Sequence, residues 1–336
     1  MFCKLSKFFS PFIKFTIALP ILLTLFLIII TDKKSITQTV IIPKGSSCRE
    51  IASILKDEGV IKSKLSFLIL AKIYRATSKL KAGEYEFDSK MGTVKILKKL
   101  KEGKTVIHAV VIPEGWTLKD IANLLEKKQL ADKYKFLDLC YDQSFIKNIL
   151  PTKPPNLEGY LFPDTYFLYR GMNEEEIISL MVNRFNDIIK KETKIDDEIL
   201  HRTIILASII EKEARIKEEF PIISAVFHNR LKKNMSLESC VTVLYALGEK
   251  KPHLSIEDTK VSSSYNTYIN PGLPPGPICN PGILAIKSVL NPADVDYLYF
   301  VSKGDGSHIF SKTNSSHISY KNALAGRDVN KREKER

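Results

Sequence analysis

The sequence predicts an α+β fold in three parts: a single N-terminal transmembrane helix, a small α/β region, and a larger, mainly helical domain with small β elements. Three observations predict it. Phe15 to Ile30 form a run without charge, two segments seventy residues apart repeat each other, and helical patterns follow one another beyond residue 170. The 336 residues suffice for two modest domains, and 44% hydrophobic with 26% charged content excludes a wholly disordered, collagenous or coiled-coil chain. A net charge of +13 points to an anionic partner surface: nucleic acid, phospholipid headgroups or an acidic wall polymer. The five cysteines include no CxxC pair and the six histidines no HExxH, so neither a metal site nor any cofactor is expected.

Sixteen helical residues from Phe15 to Ile30 span about 24 Å, a little short of a hydrocarbon core of about 30 Å, and Lys14 can snorkel to add most of another turn. A cleaved signal peptide would be shorter and end in a small-residue site, whereas this run ends Ile29-Ile-Thr-Asp-Lys33. Lys4, Lys7 and Lys14 precede it with no acidic residue among them, which leaves residues 1–14 in the cytoplasm and makes 15–31 an uncleaved anchor. Everything after about Asp32 is then exported. That argues against nucleic acid as the partner.

Val40-Ile-Ile-Pro-Lys-Gly-Ser-Ser-Cys-Arg-Glu-Ile-Ala-Ser-Ile-Leu55 repeats as Val110-Val-Ile-Pro-Glu-Gly-Trp-Thr-Leu-Lys-Asp-Ile-Ala-Asn-Leu-Leu125, with seven of sixteen positions identical. Each copy opens with β-branched residues, turns at Pro-x-Gly and passes a Ser or Thr cap into a helix whose Ile-Ala and Leu positions share one face. Between the copies lie an apolar helix around Leu65 to Tyr74, a strand at Gly83 to Phe87 and a basic helix from Thr93 to Leu100. The copies resemble LysM modules, which bind glycans containing N-acetylglucosamine. A small βα unit is also generic, and a packing unit that positions the next domain explains it equally. With helical patterns at 132 to 149 the α/β region runs 38–150 and closes at the cluster Pro151-Thr-Lys-Pro-Pro155.

The next domain is expected over 155–326. Leu157 to Tyr169 reads as an aromatic hairpin around Pro163-Asp164, followed by helices at Glu174–Lys191, Asp197–Arg215, Phe220–Lys232 and Val241–Leu247. A proline-rich loop at 265–282, a helix at Ile283–Leu290, strands at Tyr297–Ser302 and His308–Phe310 around a Gly304-Asp-Gly306 turn, and a helix near Ser316–Leu324 complete it. Residues 327–336 read as a charged, frayed tail. Gly103-Lys-Thr105 resembles the end of a P-loop, but the required earlier glycine is Lys98.

Chemistry points to Ile204-Ile-Leu-Ala-Ser-Ile-Ile-Glu211. Seven uncharged residues, apolar on every side, indicate a helix buried all round, with Glu211 directly after it. Burial favours the neutral acid and raises its pKa toward the operating pH, making Glu211 a candidate general acid. Glu213 lies about 200° away around the helix, so the two cannot act as a pair. The plain structural alternative is an i to i+4 contact between Glu211 and Arg215.

The surrounding blocks are Leu157-Glu-Gly-Tyr-Leu-Phe-Pro-Asp-Thr-Tyr166, Ala207-Ser-Ile-Ile-Glu-Lys-Glu-Ala214, Val226-Phe-His-Asn-Arg-Leu231, Tyr265-Asn-Thr-Tyr268, Gly272-Leu-Pro-Pro-Gly-Pro-Ile278 and Asn280-Pro-Gly282, with Tyr297-Leu-Tyr-Phe-Val301 near the end. In this order they resemble the endolytic murein transglycosylase family (MltG/YceG-like), from the anchor to about residue 325. The resemblance implies that Glu211 is the catalytic acid and base and that Glu158, Asn229 and Asn266 line a substrate cleft; Tyr265, in the same block as Asn266, and Glu238 are further candidate substrate-binding residues. It implies a bacterial plasma membrane protein with a periplasmic or extracytoplasmic catalytic domain, peptidoglycan glycan strands as substrate and peptidoglycan synthases as neighbours. The chain departs from the family at Leu237-Glu-Ser-Cys-Val-Thr-Val243, where Glu238, Cys240 and Val241 replace the usual Gln, Asp and Pro. Glu238 is a candidate to replace the lost carboxylate. Tyr160, Phe162, Tyr166 and Tyr169 suit either sugar stacking or half-buried sheet positions, and Asn266 either an N-acetyl group or its own loop. Two rival functions remain open at this point: a muramidase-type hydrolase in which Glu158 or Glu238 activates water, and a non-catalytic peptidoglycan-binding scaffold.

Overall fold

The computed structural model describes residues 36–150, 152–193, 195–248, 251 and 254–334, without the side chains of residues 197, 198, 325 and 327–334. The apolar run at 15–30, and with it the expected anchor, lies outside the described residues, among which no helix is long and apolar enough to cross a membrane. The chain forms two compact units that divide between Val106 and Ile107.

In the first unit, β1 (Thr37–Ile42) pairs antiparallel with β2 (Gly83–Asp88), Val40 opposite Tyr85. Between them run α1 (Cys48–Asp57) and α2 (Lys64–Ile73), and α3 (Thr93–Glu102) follows. Alternation along β1 turns Val40 and Ile42 inward, and α1 adds Ile51, Ala52 and Leu55 to a core with Phe67, Tyr85, Phe87 and Leu100. Ser47 caps α1 in a capping box with Glu50, the cap expected from the sequence.

In the second unit the repeat recurs as β3 (His108–Val111) and α4 (Leu118–Lys127), capped by Thr117 and Asp120 and burying Ile121, Ala122 and Leu125 at the repeat-equivalent positions. The second copy therefore folds with the residues after the proline cluster. Its strand pairs antiparallel with β4 (Thr165–Leu168), Val110 opposite Tyr166. The expected hairpin within Leu157–Tyr169 does not form: residues 157–162 turn without a strand, and β4 takes a partner more than fifty residues away. Pro163 lacks the N–H that a tight hairpin ladder would use there. Helical patterns at 132–149 become α5 (Lys133–Tyr141) and α6 (Gln143–Ile149), separated at Asp142, whose carboxylate accepts the Ser144 N–H.

The body is helical: α7 (Glu174–Glu192), α8 (Asp197–Glu213), α9 (Phe220–Lys232), α10 (Cys240–Leu247) and α11 (Ile283–Leu290). Thr203 to Ile210 of α8 are buried without interruption, as the apolar run demands. β5 (Tyr299–Ser302) and β6 (His308–Ser311) pair antiparallel, and α12 (Asn314–Lys334) follows. The helix continues through residues 327–334, expected as a frayed tail; Lys, Arg and Glu are good helix formers.

Candidate active site

α8 ends at Glu213, and Ala214 is already extended (φ −78°, ψ 140°). Arg215 thus leaves the helix and lies against Gly306, so the i to i+4 contact with Glu211 does not arise. The Glu211 carboxylate instead accepts the N–H of Gly282 at 3.0 Å. Gly282 is the N-cap of α11, so this donor sits at the positive end of that helix. Burial pushes the Glu211 carboxyl up to about 7; the Gly282 N–H and Lys212 pull it down, and the Glu114 charge pushes it further up. Glu213 points elsewhere: Ser239 Oγ donates to it at 2.5 Å, and burial raises its carboxyl.

A turn from the second repeat faces Glu211. Gly115 of Pro113-Glu-Gly115 adopts φ +76°, and a methyl there would stand 3.6 Å from Glu211 Cγ. Glu114 is exposed and folds over Gly282, where a Cβ would fall 1.8 Å from Glu114 Oε1. Lys212 Nζ donates to the Gly115 carbonyl at 3.3 Å. The sequence reading did not single out Glu114. The available signal was the contrast with Lys44, its counterpart in the first copy.

Asn280 stitches this arrangement together. Its N–H donates to the Trp116 carbonyl (2.8 Å) and its own carbonyl accepts from Gly115 (2.8 Å). Its side chain accepts the Leu161 N–H (2.9 Å) and donates to Trp116 O (2.9 Å). Glu158 is buried beside it, accepting the Leu118 N–H with both oxygens (3.1 and 3.3 Å), with Asn280 Nδ2 and the Tyr245 hydroxyl each at 3.4 Å. Burial drives the Glu158 carboxyl up to about 8 against the opposing Leu118 and Tyr245 hydrogen bonds.

The YceG-like family model matches residues 40–323, which includes every residue of this arrangement. The chain belongs to the YceG-like family. It is 37% identical over 304 residues to the endolytic murein transglycosylase of Bacillus subtilis, covering 85% of this chain and 84% of that protein. The endolytic murein transglycosylase of Streptococcus pneumoniae R6 is 34% identical over 297 residues, of which this chain spans about half (54%). A crystal structure of a YceG-like protein from Listeria monocytogenes is 39% identical and superposes with a TM-score of 0.59 over 85% of this chain and 100% of that one.

The remaining sequence-selected residues of this YceG-like chain are held apart from Glu211 in their bonding. Asn229 Nδ2 donates to the carbonyls of Val295 (2.8 Å) and Tyr297 (3.1 Å), tying α9 to the segment before β5. Asn266 is buried and holds its own loop, donating to Thr259 O and Val261 O at 2.9 Å each and accepting the Tyr268 N–H. Glu238, at φ +50°, pairs with the buried Arg230 guanidinium at 2.9 Å. The half-buried Tyr265 ring packs 4.9 Å from Tyr245, beside Glu158, and burial followed by the Glu158 charge raises its phenol. Tyr160 and Tyr166 are buried, their hydroxyls meeting His201 Nδ1 (2.7 Å) and the Phe162 carbonyl (2.5 Å), which leaves neither ring face for a sugar. Cys240, where the family commonly has Asp, lies with its Sγ 3.0 Å from the Tyr268 hydroxyl.

Proposed function

We propose that this chain is an endolytic peptidoglycan lytic transglycosylase, a lyase that cuts the β-1,4 bond between N-acetylmuramic acid and N-acetylglucosamine within a strand. The names of its relatives, endolytic murein transglycosylases at 34–37% identity, support the activity. One observation carries the role of Glu211: a carboxyl near 7, at the edge of a buried helix and held by a backbone N–H. In the neutral form it gives its proton to the glycosidic oxygen as the bond to C1 breaks. The resulting carboxylate then takes the proton of the muramic C6 hydroxyl, whose oxygen closes on C1 to give the 1,6-anhydro end. The substrate supplies the nucleophile, so water and a covalent enzyme intermediate are unnecessary, unlike in glycoside hydrolases with two carboxylates.

A hydrolase remains the second reading because Glu114 brings another carboxylate to Gly282 beside Glu211. Glu158 and Glu238 serve that reading poorly, the one being bonded to Leu118 and the other to Arg230. Digestion of purified sacculi decides between them. Anhydro-ended products from the wild type, falling roughly 10²- to 10⁴-fold with Glu211→Gln, are the expected result. Products heavier by one water would establish hydrolysis, and an undiminished Glu211→Gln rate would remove Glu211 from the chemistry.

Residues 15–31 anchor the protein in the plasma membrane with its N-terminus in the cytoplasm and residues 155–326 outside it. There the enzyme meets new strands beside the synthases that make them, and it releases or terminates nascent glycan. Strand-length distributions that did not change with the protein's removal would refute that role. Of the region expected as LysM-like, the first copy of the repeat contributes glycan binding; supporting it, an open pocket of about 570 Å³ lies at its turn, lined by Pro43, Lys44, Gly45, Ser46, Arg49, Glu50, Ser53 and Ile54.

A further inference from the structure

Helix α2 is apolar on more sides than its fold can use. Its sequence, KLSFLILAKI, turns Phe67 and Ala71 into the core of the first unit. At 100° per residue, Leu65, Ile69 and Ile73 lie within an arc of about 80° on the opposite side. They are 67%, 50% and 67% exposed. A helix apolar all round is normally covered on every side, and contiguous exposed apolar surface marks a place of interaction. Lys72 lies next to the stripe on the helix, about 20° from Leu65, and Lys62, Arg75 and Lys79, close to the helix ends in sequence, are exposed. Residues 36–106 as a whole carry 15 Lys and Arg against 7 Asp and Glu.

The chain's own length says what lies nearby. Six residues separate the end of the apolar run at Ile30 from the start of β1 at Thr37, so the two are at most about 25 Å apart. We propose that the α2 stripe and its basic border dock the first unit on the anionic outer surface of the membrane, α2 lying in the plane of the interface. The inference rests on the anchored reading of residues 15–31. A helix of this kind places its apolar side chains at the level of the acyl boundary while Lys and Arg reach phosphate groups. The tether keeps the surface at high effective concentration, so a patch too small to bind membranes on its own stays engaged. Docking would fix the height of the first unit above the bilayer and so bias where along a strand the enzyme works.

The test uses the full chain reconstituted into vesicles, with Ile69→Trp in a Trp116→Phe background so that one indole reports. Phospholipids brominated on the acyl chains quench an indole that enters the interface. In vesicles containing phosphatidylglycerol, emission is expected to be quenched several-fold more than that of N-acetyltryptophanamide added to the same vesicles. Pure phosphatidylcholine, or Lys62→Glu with Lys72→Glu and Arg75→Glu, is expected to remove most of that excess. Flotation of the same samples after alkaline washing reports the anchor separately. Protein that floats while its indole is quenched no more than the soluble reference overturns the docking and leaves the anchor standing. Protein that does not float overturns the anchored reading and the docking with it. A blue-shifted indole insensitive to bromine would show a second copy or another part of the protein covering the stripe, and would also overturn it.

Discussion

Glu211 can act as an acid only while protonated, and a carboxyl near 7 keeps a large protonated fraction at neutral pH. Activity limited by that proton falls as pH rises through about 7. Glu114 contributes to the elevation through its charge, after burial. Glu114→Gln removes the like charge, so the alkaline limb of the kcat/KM profile is expected to move to lower pH, with the anhydro product unchanged. An unmoved limb would mean that the Glu114 charge does not reach Glu211, and reducing-end product lost with Glu114→Gln would favour the hydrolase. Glu158 makes the opposite kind of statement, about stability. Its folded value of about 8 lies above the ordinary 4.5, so the folded state binds more protons than the unfolded one. Stability is therefore greatest below about 4.5 and declines as pH rises toward 8. Glu158→Gln keeps an acceptor for the Leu118 N–H and is expected to flatten this decline, read as the pH dependence of the urea midpoint between pH 5 and about 8.

Turns, more than helices, hold the arrangement around Glu211 in register. Gly159, next to Glu158, adopts φ +87°, and a Cβ there would stand 2.7 Å from Ile204 Cγ2 and from Pro277 Cβ and Cγ. Both neighbours belong to packed, rigid segments: α8 and the proline-rich loop that leads to Asn280 and Gly282. Gly159→Ala is expected to lower the unfolding free energy by about 2–4 kcal/mol, combining left-handed strain with overpacking, as measured by chemical denaturation. A loss under about 0.5 kcal/mol would show that these segments yield easily. The helices that frame these turns were legible in the sequence because their signals are local. Periodicity located α7 to α9, the unbroken apolar run identified α8 as buried, and the Ser47 and Thr117 caps fixed the starts of α1 and α4. Strand partnership was not legible: β4 carries no mark that its partner is β3, since register between distant strands depends on the whole fold. For the same reason the burial of Glu211 could be read from its own helix, while its neighbours Glu114 and Gly282, brought to it from distant parts of the chain, could not.

At the scale of the molecule, the repeat has been used for two different ends. Both copies keep the strand, the Pro-x-Gly turn, the cap and the buried Ile-Ala and Leu positions. The first copy closes its sheet with β2 inside its own unit; the second closes its sheet with β4 and lends its turn to the surroundings of Glu211. The cores follow the same division: Val40 to Leu100 form one cluster and Val110 to Val289 another. Glu211, Gly282, Glu114, Asn280 and Glu158 all belong to the second. A chain beginning at Ile107 therefore keeps a complete core and all of the proposed chemistry. It is expected to unfold in one cooperative transition and to release anhydro-ended products from soluble glycan oligomers within about tenfold of the full-length kcat. On sacculi, if the first unit binds glycan as proposed, its removal is expected to raise KM by roughly 10-fold or more. A cooperative fold without activity on soluble oligomers would show instead that residues 36–106 take part in the reaction itself.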